Sequence, residues 1–251
     1  KAIIQISDDI SSPKYYLYDL KKGSIVFLFA MWPEIDEPGL ESTKPFKFKN
    51  SDGIEIHGYF TNARNQDQNS LPPLVVLPHG GPIGPSDDWS FDPDVHMLSN
   101  AGYAVMKVNY RGSGGYGRDF LRAGLGQAGG DIQDDIIEAT EWVIDKGWVD
   151  KQRVGIYGGS FGGYSAAMAT MLRPDLFKAG VAYVGVFDLN LNQEVGDVRR
   201  MYFGKAQLAQ IYGPDEETRA QMSPVNNVSK LEAPLLIVSG EEDQRCPPEQ
   251  A

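Results

Sequence analysis

The 251-residue chain predicts a doubly wound α/β domain with a mostly parallel sheet, preceded by a short antiparallel meander. Three observations carry that prediction. Short, nearly continuous apolar runs alternate with stretches of helical periodicity, as expected of strands covered on both faces by helices. A glycine-framed serine, Gly158-Gly159-Ser160-Phe161-Gly162, stands where one such run gives way to a helical stretch. The first 40 or so residues instead show only β-like runs separated by turn signals.

The β-like runs at the start are residues 2–6, 15–20 and 24–29, divided by Ser11-Ser12-Pro13 and Lys21-Lys22-Gly23. A meander this short cannot bury its own face and is expected to belong to a larger sheet. Residues 33–45, rich in proline and acids, read as a linker. From Phe46 the pattern changes. Residues 47–49 and 54–60 form a hairpin about Ser51-Asp52-Gly53. Buried strands follow at 74–77, 103–108, 153–157, 180–184 and 234–238. A helix is expected where Ile132, Ile136, Ile137, Trp142 and Val143 share one side, with Asp134, Asp135, Glu138 and Glu141 mostly on the other. Another is expected over residues 165–172, and no internal repeat is visible. The domain boundary falls near residue 40, giving segments 1–40 and 41–251.

Composition narrows the function. Hydrophobic residues make up 41% of the chain and charged residues 23%, which excludes a disordered or low-complexity protein. A net charge of −11 opposes nonspecific binding to nucleic acid or to anionic membranes. The longest apolar run, residues 25–32, is far short of the roughly 20 residues that a spanning helix needs. A single cysteine, Cys246, removes internal disulfides and CxxC metal sites, and three scattered histidines, His57, His79 and His96, make a zinc centre unattractive. No cofactor is expected. The chain begins at Lys1 without a signal peptide. A cytoplasmic location is the expectation, replaced by a periplasmic or secreted one if a leader has been lost from the N-terminus.

The glycine-framed serine fits a nucleophile elbow, in which a tight strand-to-helix turn forces the serine backbone into a strained geometry and projects its hydroxyl. Small neighbours let strand and helix approach. His79-Gly80-Gly81-Pro82 leaves the strand at 74–77 and is placed to supply an oxyanion donor from Gly80 or Gly81, with the Phe161 N–H as its companion. His79 itself is set aside as the base, because in this arrangement the histidine follows the acid in chain order. It is expected to order the loop by hydrogen bonding. Asp243 follows the strand at 234–238, 83 residues after the serine, with Glu241 and Glu242 as competitors for the role of acid. Gly80, Arg111, Ser160 and Asp243 each follow a different predicted strand, on the sheet edge where such domains bind ligands. Gly112-Ser113-Gly114-Gly115-Tyr116-Gly117 matches a dinucleotide fingerprint on paper but lacks the helix that should open at once, so nucleotide binding is set aside.

Taken together, these motifs resemble the prolyl oligopeptidase family of serine peptidases, in its acylaminoacyl-peptidase and dipeptidyl-peptidase-like branch. The matching pieces are His79-Gly80-Gly81-Pro82, Asn109-Tyr110-Arg111-Gly112-Ser113, the serine motif extended through Gly163-Tyr164, Ser223-Pro224 and Asp243-Gln244-Arg245, spread over the chain from about Pro45. The resemblance implies an α/β-hydrolase fold joined to a β-propeller, so that residues 1–40 would be the end of a propeller blade and its linker. It implies Ser160 as nucleophile, Asp243 as triad acid, Gly80, Gly81 and Phe161 at the oxyanion hole, and Arg245 and Tyr164 as substrate ligands. His79 stands where a prolyl oligopeptidase has a tyrosine hydroxyl, which implies a hole built from backbone alone. Short peptides are the implied partners, and a homo-oligomer is left open. Only eight residues follow Asp243, none of them histidine. Residues 1–251 are therefore expected to lack the triad histidine and to be nearly inactive by themselves. An esterase with the same machinery and a noncatalytic hydrolase-fold scaffold are the alternatives. The unpaired edge expected at 234–238 is an aggregation hazard.

Overall fold

The computed structural model describes residues 1–35, 37–64 and 69–251, so the linker reading at residue 36 lies outside the described residues. The meander is present as β1 (Ala2–Ile6), β2 (Lys14–Asp19) and β3 (Ser24–Ala30), paired antiparallel in that order. Tyr15 stacks on Phe29 across β2 and β3 at 4.7 Å between ring centroids. Even so, Ile25, Val26, Phe27, Leu28 and Phe29 all remain exposed. Three strands have too few inward-facing residues to cover such a row. The meander is held to the rest of the molecule through buried Asp9. Its Oδ2 accepts from Ser42 Oγ and Thr43 N–H, both at 2.7 Å, and its main-chain carbonyl lies 2.7 Å from His96 Nε2.

The second sheet has seven strands: β4 (Thr43–Lys49), β5 (Glu55–Thr61), β6 (Leu74–Val76), β7 (Ala104–Asn109), β8 (Val154–Gly159), β9 (Ala179–Tyr183) and β10 (Leu235–Val238). Their order is β10-β9-β8-β6-β7-β5-β4, with β4–β5 and β5–β7 antiparallel and the remaining pairs parallel. The hairpin starts earlier than expected, so residues 43–45 belong to β4 and not to a linker. Pro45 is accommodated because β4 is an edge strand, where a missing N–H costs no ladder bond.

Among the described residues there are six α-helices: α1 (Pro93–Asn100), α2 (Arg118–Ala123), α3 (Asp131–Asp145), α4 (Phe161–Leu172), α5 (Gly204–Tyr212) and α6 (Glu216–Gln221). The first is capped by Asp92, whose carboxylate accepts from the Asp94 and Val95 N–H groups, with Pro93 in the first turn. Helix α2 opens directly after Gly117, where the glycine-rich stretch was read as helix-free, but it lasts only six residues. The apolar side of α3 is buried as the periodicity predicted, yet Asp135 is wholly buried with it, contrary to its reading as part of the solvated side. Helix α4 begins at Phe161 rather than Ser165, and nearly all of it is buried between β8, β9 and α3. At the far edge, β10 pairs only with β9, leaving Leu236, Ile237 and Val238 exposed.

The order of strands sets the place of the chemistry. From central β6 the chain moves to β7 on one side and returns to β8 on the other. The loops leaving β6 and β8 therefore splay apart over a crevice at the carboxyl edge.

Candidate active site

Ser160 is the first residue past β8 and the residue before α4, with φ +57° and ψ −119°. Left-handed backbone is costly for a serine, on the order of 1–3 kcal/mol, and persists only where the surroundings impose it. Here they do. The Ser160 N–H donates to the Tyr183 carbonyl of β9 at 2.9 Å, and its own carbonyl accepts from the Tyr164 N–H at 3.0 Å. The turn is closed enough that a Cβ on Gly162 would run into the Pro78 carbonyl oxygen. The Phe161 N–H is the first of α4, so it has no acceptor within the helix and stands at the positive end of its dipole.

The β6 loop comes to meet this serine. A Cβ built on Gly80 would stand 3.4 Å from Ser160 Cβ and 4.0 Å from its Oγ. Its conformation is fixed by His79, whose Nε2 lies 2.9 Å from Ser113 Oγ and whose Nδ1 lies 3.1 Å from the Gly80 carbonyl. Tyr110 stacks on the imidazole at 4.3 Å and donates its hydroxyl to the His79 carbonyl at 2.9 Å. Burial pushes His79 down to about 4, so the ring is neutral near pH 7. The pattern assigns the proton to Nδ1, donated to Gly80, with Nε2 accepting from Ser113. His79 thus orders the loop, as expected. Because C=O and the next N–H point oppositely across a trans peptide, pinning the Gly80 carbonyl to His79 turns the Gly81 N–H the other way.

Asp243 sits in the loop after β10, partly buried, and its Oδ1 accepts from the Arg245 and Cys246 N–H groups at 2.8 and 2.9 Å. Cys246 links this loop to the elbow. Burial pushes its thiol up to about 11, with the Asp243 carboxylate adding to the effect and the neighbouring Ser160 side chain opposing it. Sequence reasoning used Cys246 only to exclude disulfides and CxxC metal sites, since nothing in its spacing reveals that contact. Arg245 is exposed and paired with Asp197 at 2.7 Å.

Two residues singled out by their motifs stand elsewhere. Tyr164 was assigned to the substrate, but it is wholly buried, and its hydroxyl donates to the Met222 carbonyl at 2.7 Å. It points into the core because α4 turns that position away from the crevice. Arg111 follows β7 at the expected edge, yet its guanidinium is buried among acids. Nε and Nη2 reach the two Asp135 oxygens at 2.9 and 2.8 Å, while Nη1 meets Asp131 at 2.6 Å and Nη2 meets Asp52 at 2.8 Å. Those bonds to Asp135 first of all raise its already high pKa further. Among the described residues no cluster of histidine, cysteine and acids is arranged to hold a metal ion, and no helix is long and apolar enough to cross a membrane.

The remaining histidines are also engaged. His57 stacks on Tyr116 at 4.5 Å and lies 3.4 Å from Glu55, and His96 is buried against Asp9. Among the described residues no hydrogen bond joins any of the three imidazoles to Ser160.

Comparison with known proteins agrees with this geometry. Residues 89–251 match the model of the prolyl oligopeptidase family. Dipeptidyl aminopeptidase BIII of Pseudoxanthomonas mexicana is 36% identical over 244 residues, covering 92% of this chain and 35% of that protein. A puromycin-hydrolyzing peptidase of Mycobacterium tuberculosis superposes with a TM-score of 0.89 at 27% identity, covering 99% of this chain and 38% of the other. An acylaminoacyl peptidase solved with Z-Gly-Gly-Phe-chloromethyl ketone does so with a TM-score of 0.84 at 27% identity, over 99% and 40%. The chain therefore spans little more than a third of the length of these relatives. Its seven-stranded sheet, its elbow and these matches place it in the α/β-hydrolase fold, and the chain belongs to the prolyl oligopeptidase family.

Proposed function

We propose that the full-length protein is a serine peptidase that cleaves short peptides through an acyl-enzyme on Ser160, in the manner of acylaminoacyl or dipeptidyl peptidases. The observation that carries this is the left-handed Ser160 at a strand-to-helix elbow, with the Gly80-Gly81 loop and the Phe161 N–H beside it. Ser160 Oγ attacks the scissile carbonyl, and the negative charge that develops on its oxygen is met by the Gly81 and Phe161 N–H groups. Asp243 orients the imidazole that accepts the serine proton and later returns it to the leaving amine. Since His57, His79 and His96 are engaged elsewhere, that imidazole belongs to the protein outside residues 1–251. The meander β1–β3 is read as the end of a propeller blade whose other strands cover its exposed apolar face. Peptides are favoured over simple esters by Arg245, which offers N–H donors to a backbone carbonyl.

Intact mass after exposure to a fluorophosphonate tests this reading. The full-length protein is expected to gain one adduct, lost in Ser160→Ala, and to hydrolyse a peptide anilide. Residues 1–251 alone are expected to turn over almost none. No adduct on folded full-length protein would leave a noncatalytic scaffold as the reading, and turnover of aryl esters alone would make it an esterase.

A further inference from the structure

Arg245 does not stand unsupported beside the acid. Its Nε lies 2.7 Å from Asp197 Oδ1, an ion pair by distance, and that oxygen is closed to solvent and accepts no hydrogen bond from the described residues. The Asp197 main-chain N–H also donates to the Gln244 carbonyl at 2.8 Å. One residue, drawn from the segment between β9 and α5, thus holds the loop after β10 by its backbone and by its charge. The approach is close: a Cβ on Gly196 would stand 3.1 Å from the Arg245 carbonyl oxygen. Among the described residues no other ion pair or hydrogen bond engages Nη1 or Nη2 of Arg245, whose side chain remains 57% exposed.

We propose that Asp197 is a positioning residue for Arg245, and that the pair selects an uncharged backbone carbonyl of the substrate over a carboxylate. This rests on the serine-peptidase reading above. With Nε against Asp197, the two Nη groups of the exposed side chain stay free to donate. Because Asp197 balances the guanidinium charge, they offer hydrogen bonds without net positive charge. A peptide carbonyl needs only the donors, whereas a carboxylate would also meet Asp197. The substrate class this favours is a chain that continues past the acyl residue on its amino side, with no free carboxylate at that subsite.

The test compares Asp197→Asn, Asp197→Ala, Arg245→Ala and the Asp197→Ala/Arg245→Ala pair in the full-length protein. The substrates are two peptide anilides, a blocked tripeptide and a dipeptide with a free amino terminus, and an aryl acetate, which has no second carbonyl to bind. Losing a charge-assisted hydrogen bond is expected to cut kcat/KM for both anilides by about 10-fold or more, mainly through KM, in each single variant. Aryl acetate turnover should stay within about 2-fold, and the double variant should fall no further than Arg245→Ala alone. Inhibition by a short peptide acid should strengthen in Asp197→Asn, because the arginine there carries an uncompensated charge. Equal losses on the anilides and the ester, additive losses in the double variant, or unchanged inhibition by the acid would overturn the proposal. If the unsubstituted protein turned over only the ester, the peptidase reading would fail and this inference with it.

Discussion

Replacing Asp135 by alanine would remove the centre of the buried ion cluster under the Arg111 loop. The Asp135 carboxylate has no solvent exposure and accepts four hydrogen bonds, from the Arg111 N–H, Nε and Nη2 and from Asn50 Nδ2, at 2.7–2.9 Å. Breaking a buried pair by deleting one partner costs about 3–5 kcal/mol, since the other charge is left desolvated. Asp52 and Asp131 still reach the Nη groups, and both are about half exposed, so they hold part of the charge in a wetter setting. The lower end, about 3 kcal/mol, is therefore expected. With a urea m-value of about 3 kcal/mol/M for a domain of this size, the midpoint should drop by about 1 M. Trp142, stacked on Phe46 and Phe48 at the other end of α3, is a convenient fluorescent reporter. Arg111→Met combined with Asp135→Ala should recover much of the loss, because the orphaned charge goes too. A shift below about 0.3 M, or a double variant no better than the single, would refute the account of Arg111 as a buried structural cation.

Three further outcomes follow from the same structure. Ser113→Ala deprives His79 Nε2 of its donor and frees the ring that pins Gly80, so kcat for peptide cleavage should fall about 5-fold with KM little changed; steady-state kinetics on the full-length protein read this. Asp87 is pushed up to about 6, chiefly by burial, despite Lys107 at 3.5 Å. The folded state then holds this proton more tightly than the unfolded chain does, so its contribution to stability is greatest at low pH and is lost as pH rises from about 4 through 6, by up to about 3 kcal/mol. Unfolding free energies of the parent minus those of Asp87→Asn should decline over that range, whereas a flat difference contradicts the assignment. The His79 titration, of opposite sign, is common to both proteins and cancels. Val184 has φ +45°, a conformation hostile to a β-branched side chain, so Val184→Gly should cost far less stability than Val186→Gly two residues on, a comparison denaturant melts can make.

The elements most legible in the sequence are those whose signal is local. Strand runs bounded by turns, the helix carrying Ile132 and Ile136, and the serine framed by glycines all express constraints that act within a few residues. The Gly80 loop was legible for the same reason, because close approach to another backbone leaves glycine as the residue that fits. What could not be read are the long-range pairings. Asp135 looks solvated by periodicity, since its neighbours Asp134 and Glu138 are charged as well; only the sheet order brings Arg111 to it. Tyr164 shares a motif with Ser160, yet a helix turns about 100° per residue, so proximity in sequence places it against Met222 instead. The contact of Cys246 with Ser160 needs the β8 and β10 loops in place before it exists.

The two non-glycine residues with left-handed backbone among those described are Ser160 and Val184, and they are not independent. Tyr183, one residue before Val184, gives its carbonyl to the Ser160 N–H, while the Val184 N–H donates to Val238 at the end of β10. The strain at the elbow is thus shared along the carboxyl ends of three adjacent strands, from β8 through β9 to β10, which leads directly into Asp243. Such conformations survive only where the structure around them is rigid, and the buried α4 supplies that rigidity beneath. A kink at Val184 that relaxed would release the Tyr183 carbonyl from Ser160 and shift the end of β10 together. Ser160 and the loop that carries Asp243 are therefore tied to one strained edge of the sheet.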